Sequence, residues 1–82
     1  EAVRSSLGSL GGVTDVHDIH IWTITSGMFA FSCHLSVRAG LSQVERDEIL
    51  TRAKTALHDR FGIDHSTIQI EGEAWQEIGL IH

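Results

Sequence analysis

The sequence predicts an α+β domain of order α-β-β-α-β, in which a three-stranded mixed sheet carries two helices on one face. Three observations predict it: two segments repeat apolar residues at helical spacing, three segments read as strands, and glycines separate most of these elements. The chain of 82 residues suffices for one small domain. We assign this domain to residues 1–72 and leave residues 73–82 as a C-terminal tail.

The first helix is short. Val3, Leu7 and Leu10 recur at i, i+4 and i+7, which places them on one helical face. Gly11 and Gly12 follow, and glycine commonly ends a helix at its C-terminus. We therefore expect a helix that covers an apolar sheet face and stops before residue 13.

Two strands joined by a tight turn follow this helix. Residues 13–25 are rich in Val, Ile, Thr and Trp, which are typical of strands, and Ser26-Gly27 provides the turn. Residues 28–37 form the second strand, whose side chains alternate between a core face and an open face. The expected core face consists of Phe29, Phe31, Cys33, Leu35 and Val37, and the open face of Ala30, Ser32, His34 and Ser36.

The second helix is the longest predicted element. Ser42 and Glu45 have the spacing of a capping box, and Gly62 ends the helix after about residue 61. Its apolar stripe consists of Leu41, Val44, Ile49, Leu50, Ala53, Leu57 and Phe61. Residues 67–71 then alternate as a third strand, which the right-handed β-α-β rule places parallel to the second.

Composition excludes several classes of function. The formal net charge of −5 argues against nucleic acid as a partner, because phosphate binding needs a basic surface. The single cysteine excludes a disulfide within the chain, and no apolar run approaches the roughly 18 residues of a membrane span. The chain begins with Glu1 inside a helical pattern, so we interpret it as a fragment of a longer protein.

The run Val16-His17-Asp18-Ile19-His20-Ile21-Trp22 carries the most distinctive chemistry. Its imidazoles and carboxylate are donors that suit Zn²⁺, and His34 lies on the next strand of the predicted hairpin. Strict alternation places His20 on the open face with His34, whereas His17 reaches that face only through a β-bulge or a late strand start. The alternative is that these are solvent-facing polar positions of a half-exposed sheet.

The third strand adds further candidates. Gln69 and Glu71 share its open face, and His65 begins it, where it either joins the histidines or caps a turn. Trp22 on the open face indicates an interface, where tryptophan is enriched. The sequence contains no glycine-rich phosphate loop and no nucleophile beside a base, so it does not predict an enzyme.

The run V-H-D-I-H-I-W, with Gly27, His34-Leu35 and the ending T-I-Q-I-E at residues 67–71, resembles the C-terminal cytoplasmic domain of cation diffusion facilitators. It is most similar to the CzcD-type exporters of zinc, cobalt and cadmium, over roughly residues 1–72. The resemblance implies a metallochaperone-like, ferredoxin-related fold that forms a homodimer and binds Zn²⁺, Co²⁺ or Cd²⁺. It further implies a place at the cytoplasmic face of the bacterial inner membrane, beside the membrane domain of the same transporter.

The resemblance also implies ligands. It matches His17, His34 and Glu71 to ligand positions, and it favours His17 over His20 on the first strand. His65 lies one residue from a further ligand position. We therefore expect a metal-binding regulatory and dimerisation domain of an efflux transporter. The alternative is a module for small-ligand sensing or structural dimerisation that binds no metal.

Overall fold

The computed structural model describes residues 2–72, and the predicted tail over residues 73–82 lies outside them. Its elements are α1 (Ala2–Gly8), β1 (Val13–Thr25), β2 (Met28–Val37), α2 (Gln43–Phe61) and β3 (His65–Gly72). The sheet order is β1-β2-β3, with β1 and β2 antiparallel and β2 and β3 parallel. The predicted α-β-β-α-β architecture is therefore confirmed.

The core lies between the two helices and one face of the sheet. Leu7 from α1, Leu35 from β2 and Leu57 from α2 are fully buried, and burial of each such side chain contributes about 1.5–3 kcal/mol. The remaining members of the buried cluster are Val3, Val16, Phe31, Cys33, Val37, Ile49, Ala53 and Ile63. The core side of the sheet is thus the helix-covered side, and the opposite side stays available for a site.

Two residues predicted to lie in the core are exposed. Phe29 is 43% exposed because it pairs with Thr23 beside the hairpin turn, whereas the buried cluster reaches along β2 only as far as Phe31. Val44 is 67% exposed, in the first turn of α2. In both cases the pattern assigned the residue to the correct element, but the residue lies outside the buried part of the core.

A β-bulge interrupts β1 within the histidine-rich run. His17 pairs with His34 and His20 pairs with Ser32, so three steps along β1 match two along β2. The extra residue is accommodated around Asp18, whose φ of 53° lies in the left-handed region. Aspartate tolerates that region better than most residues with a Cβ. As a result, His17 and His20 both lie on the sheet face of His34.

Helix α2, which precedes β3, is capped at both ends. Ser42 accepts a hydrogen bond from the Glu45 backbone N–H at 3.1 Å, and the Glu45 carboxylate accepts one from the Ser42 backbone N–H at 2.9 Å. Gly62 ends the helix with φ of 66°, and its N–H bonds the His58 carbonyl. Within residues 2–72, no helix is long and apolar enough to cross a membrane.

Candidate metal centre

Three strands each contribute one side chain to a cluster on the open face of the sheet. His17 from β1 and His34 from β2 are directly paired, and their ring centroids lie 5.2 Å apart. Glu71 from β3 pairs with Ser36, two residues beyond His34 on β2. The β-bulge and the parallel register together bring the three side chains to one place.

Glu71 lies between the two imidazoles. Its Oε2 is 2.6 Å from Nδ1 of His34, and its Oε1 is 3.3 Å from Nε2 of His17. Gln69 donates from Nε2 to the same Oε2 at 3.3 Å. The Glu71 side chain is only 7% exposed, and a carboxylate at such a depth is unfavourable unless charged or hydrogen-bonding partners surround it. His34, through Nδ1, and Gln69, through Nε2, are those partners.

Asp15 contacts the nitrogen of the His17 ring that is remote from Glu71. Its Oδ2 is 3.0 Å from Nδ1 of His17, on the same strand two residues away. Because an ionised carboxylate only accepts hydrogen bonds, this contact is a hydrogen bond when Nδ1 carries the hydrogen. The imidazole is thereby oriented with Nε2 towards Glu71.

Asp18, the carboxylate of the histidine-rich run, is a fourth potential donor, although the resemblance matched no ligand position to it. Its Oδ2 is 3.9 Å from Nδ1 of His34, and one donor atom each from His17, Asp18 and His34 lies within 4.8 Å of the others. The bulge accounts for this placement, because the left-handed backbone at residue 18 breaks the alternation. The signal in the sequence was the spacing of His17 and His20, which lie three residues apart and share one face only when the strand between them is irregular.

The other two predicted site residues lie at different distances from the cluster. His20 is exposed and lines a cavity of about 220 Å³ together with Asp18 and His34. His65 pairs with Ala30, four residues before the strand position that faces His34. At about 3.3 Å per residue, some 13 Å of strand separates it from the cluster. The structure therefore brings together His17, His34 and Glu71, places His20 beside them and leaves His65 apart.

The arrangement of hydrogen-bonding atoms favours a cation. When Nδ1 of His17 donates to Asp15, an imidazole with one hydrogen directs its Nε2 lone pair at Oε1 of Glu71, 3.3 Å away. Two acceptors that face each other repel unless a proton or a metal ion lies between them. Nitrogen and oxygen donors in this combination suit Zn²⁺ and the neighbouring divalent transition metals.

Cys33 and His58 do not join the cluster. Burial raises the pKa of the Cys33 thiol to about 11, which keeps it protonated and disfavours it as a metal ligand. His58, at the C-terminal end of α2, contacts Asp59 at 3.0 Å and Asp64 at 3.3 Å. The hydrogen bond that His58 donates to Asp59, followed by the charge of Asp64, raises the pKa of His58. This group is exposed and belongs to the helix terminus.

Comparison with known proteins identifies a family. Residues 1–73 match the family described as cation efflux protein, cytoplasmic domain. A probable zinc transporter of Dictyostelium discoideum is 45% identical over 69 residues, which cover 84% of this chain and 12% of that protein. A cadmium, cobalt and zinc/H⁺-K⁺ antiporter of Bacillus subtilis is 46% identical over 63 residues, 77% of this chain and 20% of that protein. The chain thus spans a fifth or less of these two relatives.

Solved structures agree with this match. The metal-bound C-terminal domain of the CzcD transporter from Cuprividus metallidurans superposes with a TM-score of 0.76 at 34% identity. The match covers 85% of this chain and 93% of that one. A structure of CzrB superposes with a TM-score of 0.79 at 24% identity, over 88% of this chain and 89% of that one, and supports the fold alone.

Proposed function

The chain belongs to the family of cation efflux protein cytoplasmic domains. From that premise we propose that it is a zinc-binding regulatory and dimerisation domain of a divalent-cation efflux transporter. The observation that carries the proposal is the convergence of His17, His34 and Glu71 from three strands, with a buried carboxylate between two imidazoles. The names of the relatives, which mention zinc, cadmium and cobalt, favour these ions as ligands.

In this proposal His17, His34 and Glu71 would hold the ion. Asp18 is available as a further oxygen donor from the bulge, and His20 stands beside the cluster. A bound Zn²⁺ supplies a cross-link between strands that contact one another otherwise through backbone hydrogen bonds and packing. The three predicted ligands leave a coordination position for water or for another donor, an incompleteness that suits reversible binding.

Dimerisation is supported by an apolar surface at the end of the hairpin. The hairpin-tip patch consists of large apolar side chains on both faces of the hairpin near its turn, which are 41–52% exposed: Ile21, Trp22, Ile24, Met28 and Phe29. Large apolar patches on small domains commonly mark interfaces, and a domain of this size gains stability by covering them. We propose that a second copy of the chain covers this patch and that the membrane domain of the same transporter is the further partner.

Calorimetric titration with zinc tests the metal site. Wild type is expected to bind Zn²⁺ at the three-strand cluster, and His34→Ala is expected to lose that binding. His58→Ala serves as the matched control, because His58 is an exposed histidine that also contacts carboxylates but lies outside the cluster. Unchanged zinc binding by His34→Ala would assign the ion to another place. A wild type that binds no zinc would favour the metal-independent dimerisation module.

A further inference from the structure

We propose that Asp15 is a positioning residue of the metal centre, which holds His17 in the tautomer whose Nε2 is free to bind a cation. The inference rests on the proposed metal-binding function and adds to it a residue that would not contact the ion. It starts from the spacing of the two residues. Asp15 and His17 stand two positions apart on β1, so their side chains project from the same face of the strand.

The contacts on the two sides of the His17 ring differ in kind. On one side, Nδ1 lies 3.0 Å from Oδ2 of Asp15, a hydrogen-bonding distance. On the other side, Nε2 lies 3.3 Å from Oε1 of Glu71, within the cluster. A neutral imidazole has one hydrogen for two nitrogens, so a hydrogen on Nδ1 leaves a lone pair on Nε2.

This choice of tautomer decides whether His17 can bind an ion at the cluster. In the other tautomer, Nε2 carries the hydrogen and offers no lone pair towards Glu71 and His34. That tautomer would also donate to Glu71, which stabilises it when no ion is bound. Asp15 opposes it, because its carboxylate can accept a hydrogen from Nδ1 but cannot donate one.

Carboxylate groups that orient metal-binding histidines usually contribute a factor of 10–100 in metal affinity. The Asp15 side chain is 63% exposed, so water competes for the same hydrogen bond. We therefore expect the lower end of that range, about a tenfold loss of zinc affinity when Asp15 is replaced.

Two substitutions of Asp15 distinguish the effect of its hydrogen bond from the effect of its side-chain shape. Asp15→Ala removes the acceptor. Asp15→Asn keeps the shape, and its amide can either accept from Nδ1 through its oxygen or donate to Nδ1 through its nitrogen, so it no longer fixes one tautomer. By calorimetry, Asp15→Ala is expected to bind Zn²⁺ about tenfold more weakly than wild type, and Asp15→Asn is expected to lie between the two. Asp47→Asn, which removes one carboxylate on α2, is the control and is expected to bind like wild type.

Nitrogen-15 NMR of the metal-free chain gives a second measurement, which does not depend on zinc. At about pH 8, where free imidazole is neutral, His17 of wild type should carry its hydrogen on Nδ1. Asp15→Ala should shift it towards Nε2, and Asp15→Asn should do so to a smaller extent. An unchanged tautomer or full zinc affinity in Asp15→Ala would overturn the proposal.

The two measurements distinguish this inference from the proposed function. If wild type binds zinc and His34→Ala does not, while both Asp15 variants bind like the Asp47→Asn control, only the role of Asp15 is wrong. If wild type binds no zinc, the metal function fails, and the role of Asp15 as a positioning residue fails with it. The tautomer measurement would then still report whether the contact itself exists in solution.

Discussion

Histidine–carboxylate contacts at two places in residues 2–72 differ mainly in burial. The Glu71 side chain, between His17 and His34, is 7% exposed, and removal of either imidazole would leave a carboxylate in a poorly solvated position. The side chains of His58, Asp59 and Asp64 are all about two-thirds exposed, at 64–66%. Surface ion pairs of that kind contribute little to stability because water and salt screen them. The first cluster therefore suits a bound ion, and the second suits a helix end.

The exposed cluster gives a pH prediction. The pKa of His58 is raised, mainly by its hydrogen bond to Asp59 and then by the charge of Asp64. A group whose pKa is raised on folding stabilises the fold below its unfolded pKa and loses that contribution as the pH rises through the folded pKa. We expect His58→Gln to be slightly less stable than wild type at about pH 5.5 and equal to it at about pH 8.5.

Urea denaturation at the two pH values measures this difference. Thr55→Ala, one turn earlier on α2 and exposed, is the control, and its difference from wild type should not vary with pH. A gap between His58→Gln and wild type that grows as the pH rises would mean that the neutral imidazole is the stabilising form. That result would contradict the contacts with Asp59 and Asp64.

At the scale of elements, the capping box of α2 was readable in the sequence because it depends on residues only three apart. Ser42 and Glu45 bond each other's backbone N–H groups. Replacing an N-cap serine by alanine costs about 1 kcal/mol, within a range of roughly 0.5–2. We expect that loss for Ser42→Ala in urea denaturation. Ser5→Ala, on an exposed position of α1, should stay within about 0.5 kcal/mol of wild type.

One result would contradict the loss of stability expected for Ser42→Ala. Equal stability of Ser42→Ala and wild type would mean that water replaces the cap without cost, so the capping box would not determine where α2 begins. The circular dichroism of the variant should still show the helix, since α2 is anchored elsewhere. Ile49, Ala53 and Leu57 pack into the core, and Lys54 donates to the Ser66 carbonyl at 2.7 Å.

Local sequence pattern determined the bounds of β1 and β2 but not the register within β1. The third strand was predicted over residues 67–71 and is longer at both ends, at His65–Gly72. The alternation in β2 predicted its core face from Phe31 to Val37, since each position depends only on its neighbours. The bulge at Asp18 depends on how β1 pairs with β2, which no short pattern contains. The choice between His17 and His20 therefore stayed open on alternation alone. In the structure both lie on the open face, and which of them binds metal stays a prediction.

At the scale of the whole molecule, the hairpin extends past the helices. The described residues measure 42 × 24 × 21 Å, and the hairpin-tip patch lies where β1 and β2 meet their turn. The turn itself is built on Gly27, whose φ of 79° few other residues would adopt. An elongated domain with apolar side chains at this end has a surface that a second copy can bury.

Substitution within the hairpin-tip patch tests the homodimer. Trp22→Glu places a charge in the patch, where Trp22 is 50% exposed, and we expect the chain to sediment as a monomer at concentrations where wild type is a dimer. Val44→Glu is the control, because Val44 is an apolar residue that is 67% exposed on α2, outside the patch. Dissociation by Val44→Glu but not by Trp22→Glu would move the interface to the helical side.

The last prediction concerns what zinc contributes to this assembly. The core of the described residues is closed by Leu7, Leu35 and Leu57, and no proposed metal ligand belongs to that buried apolar cluster. We therefore expect circular dichroism to keep its helix and strand signal after chelation. Zinc should raise the free energy of unfolding by RT ln(1 + [L]/Kd) for one site, and the melting temperature should rise with it. It should also shift sedimentation towards the dimer if binding favours one arrangement of the protomers. Collapse of the signal on chelation would instead mean that zinc is structural, because a three-strand cross-link would then be needed to hold β1 and β3 against β2.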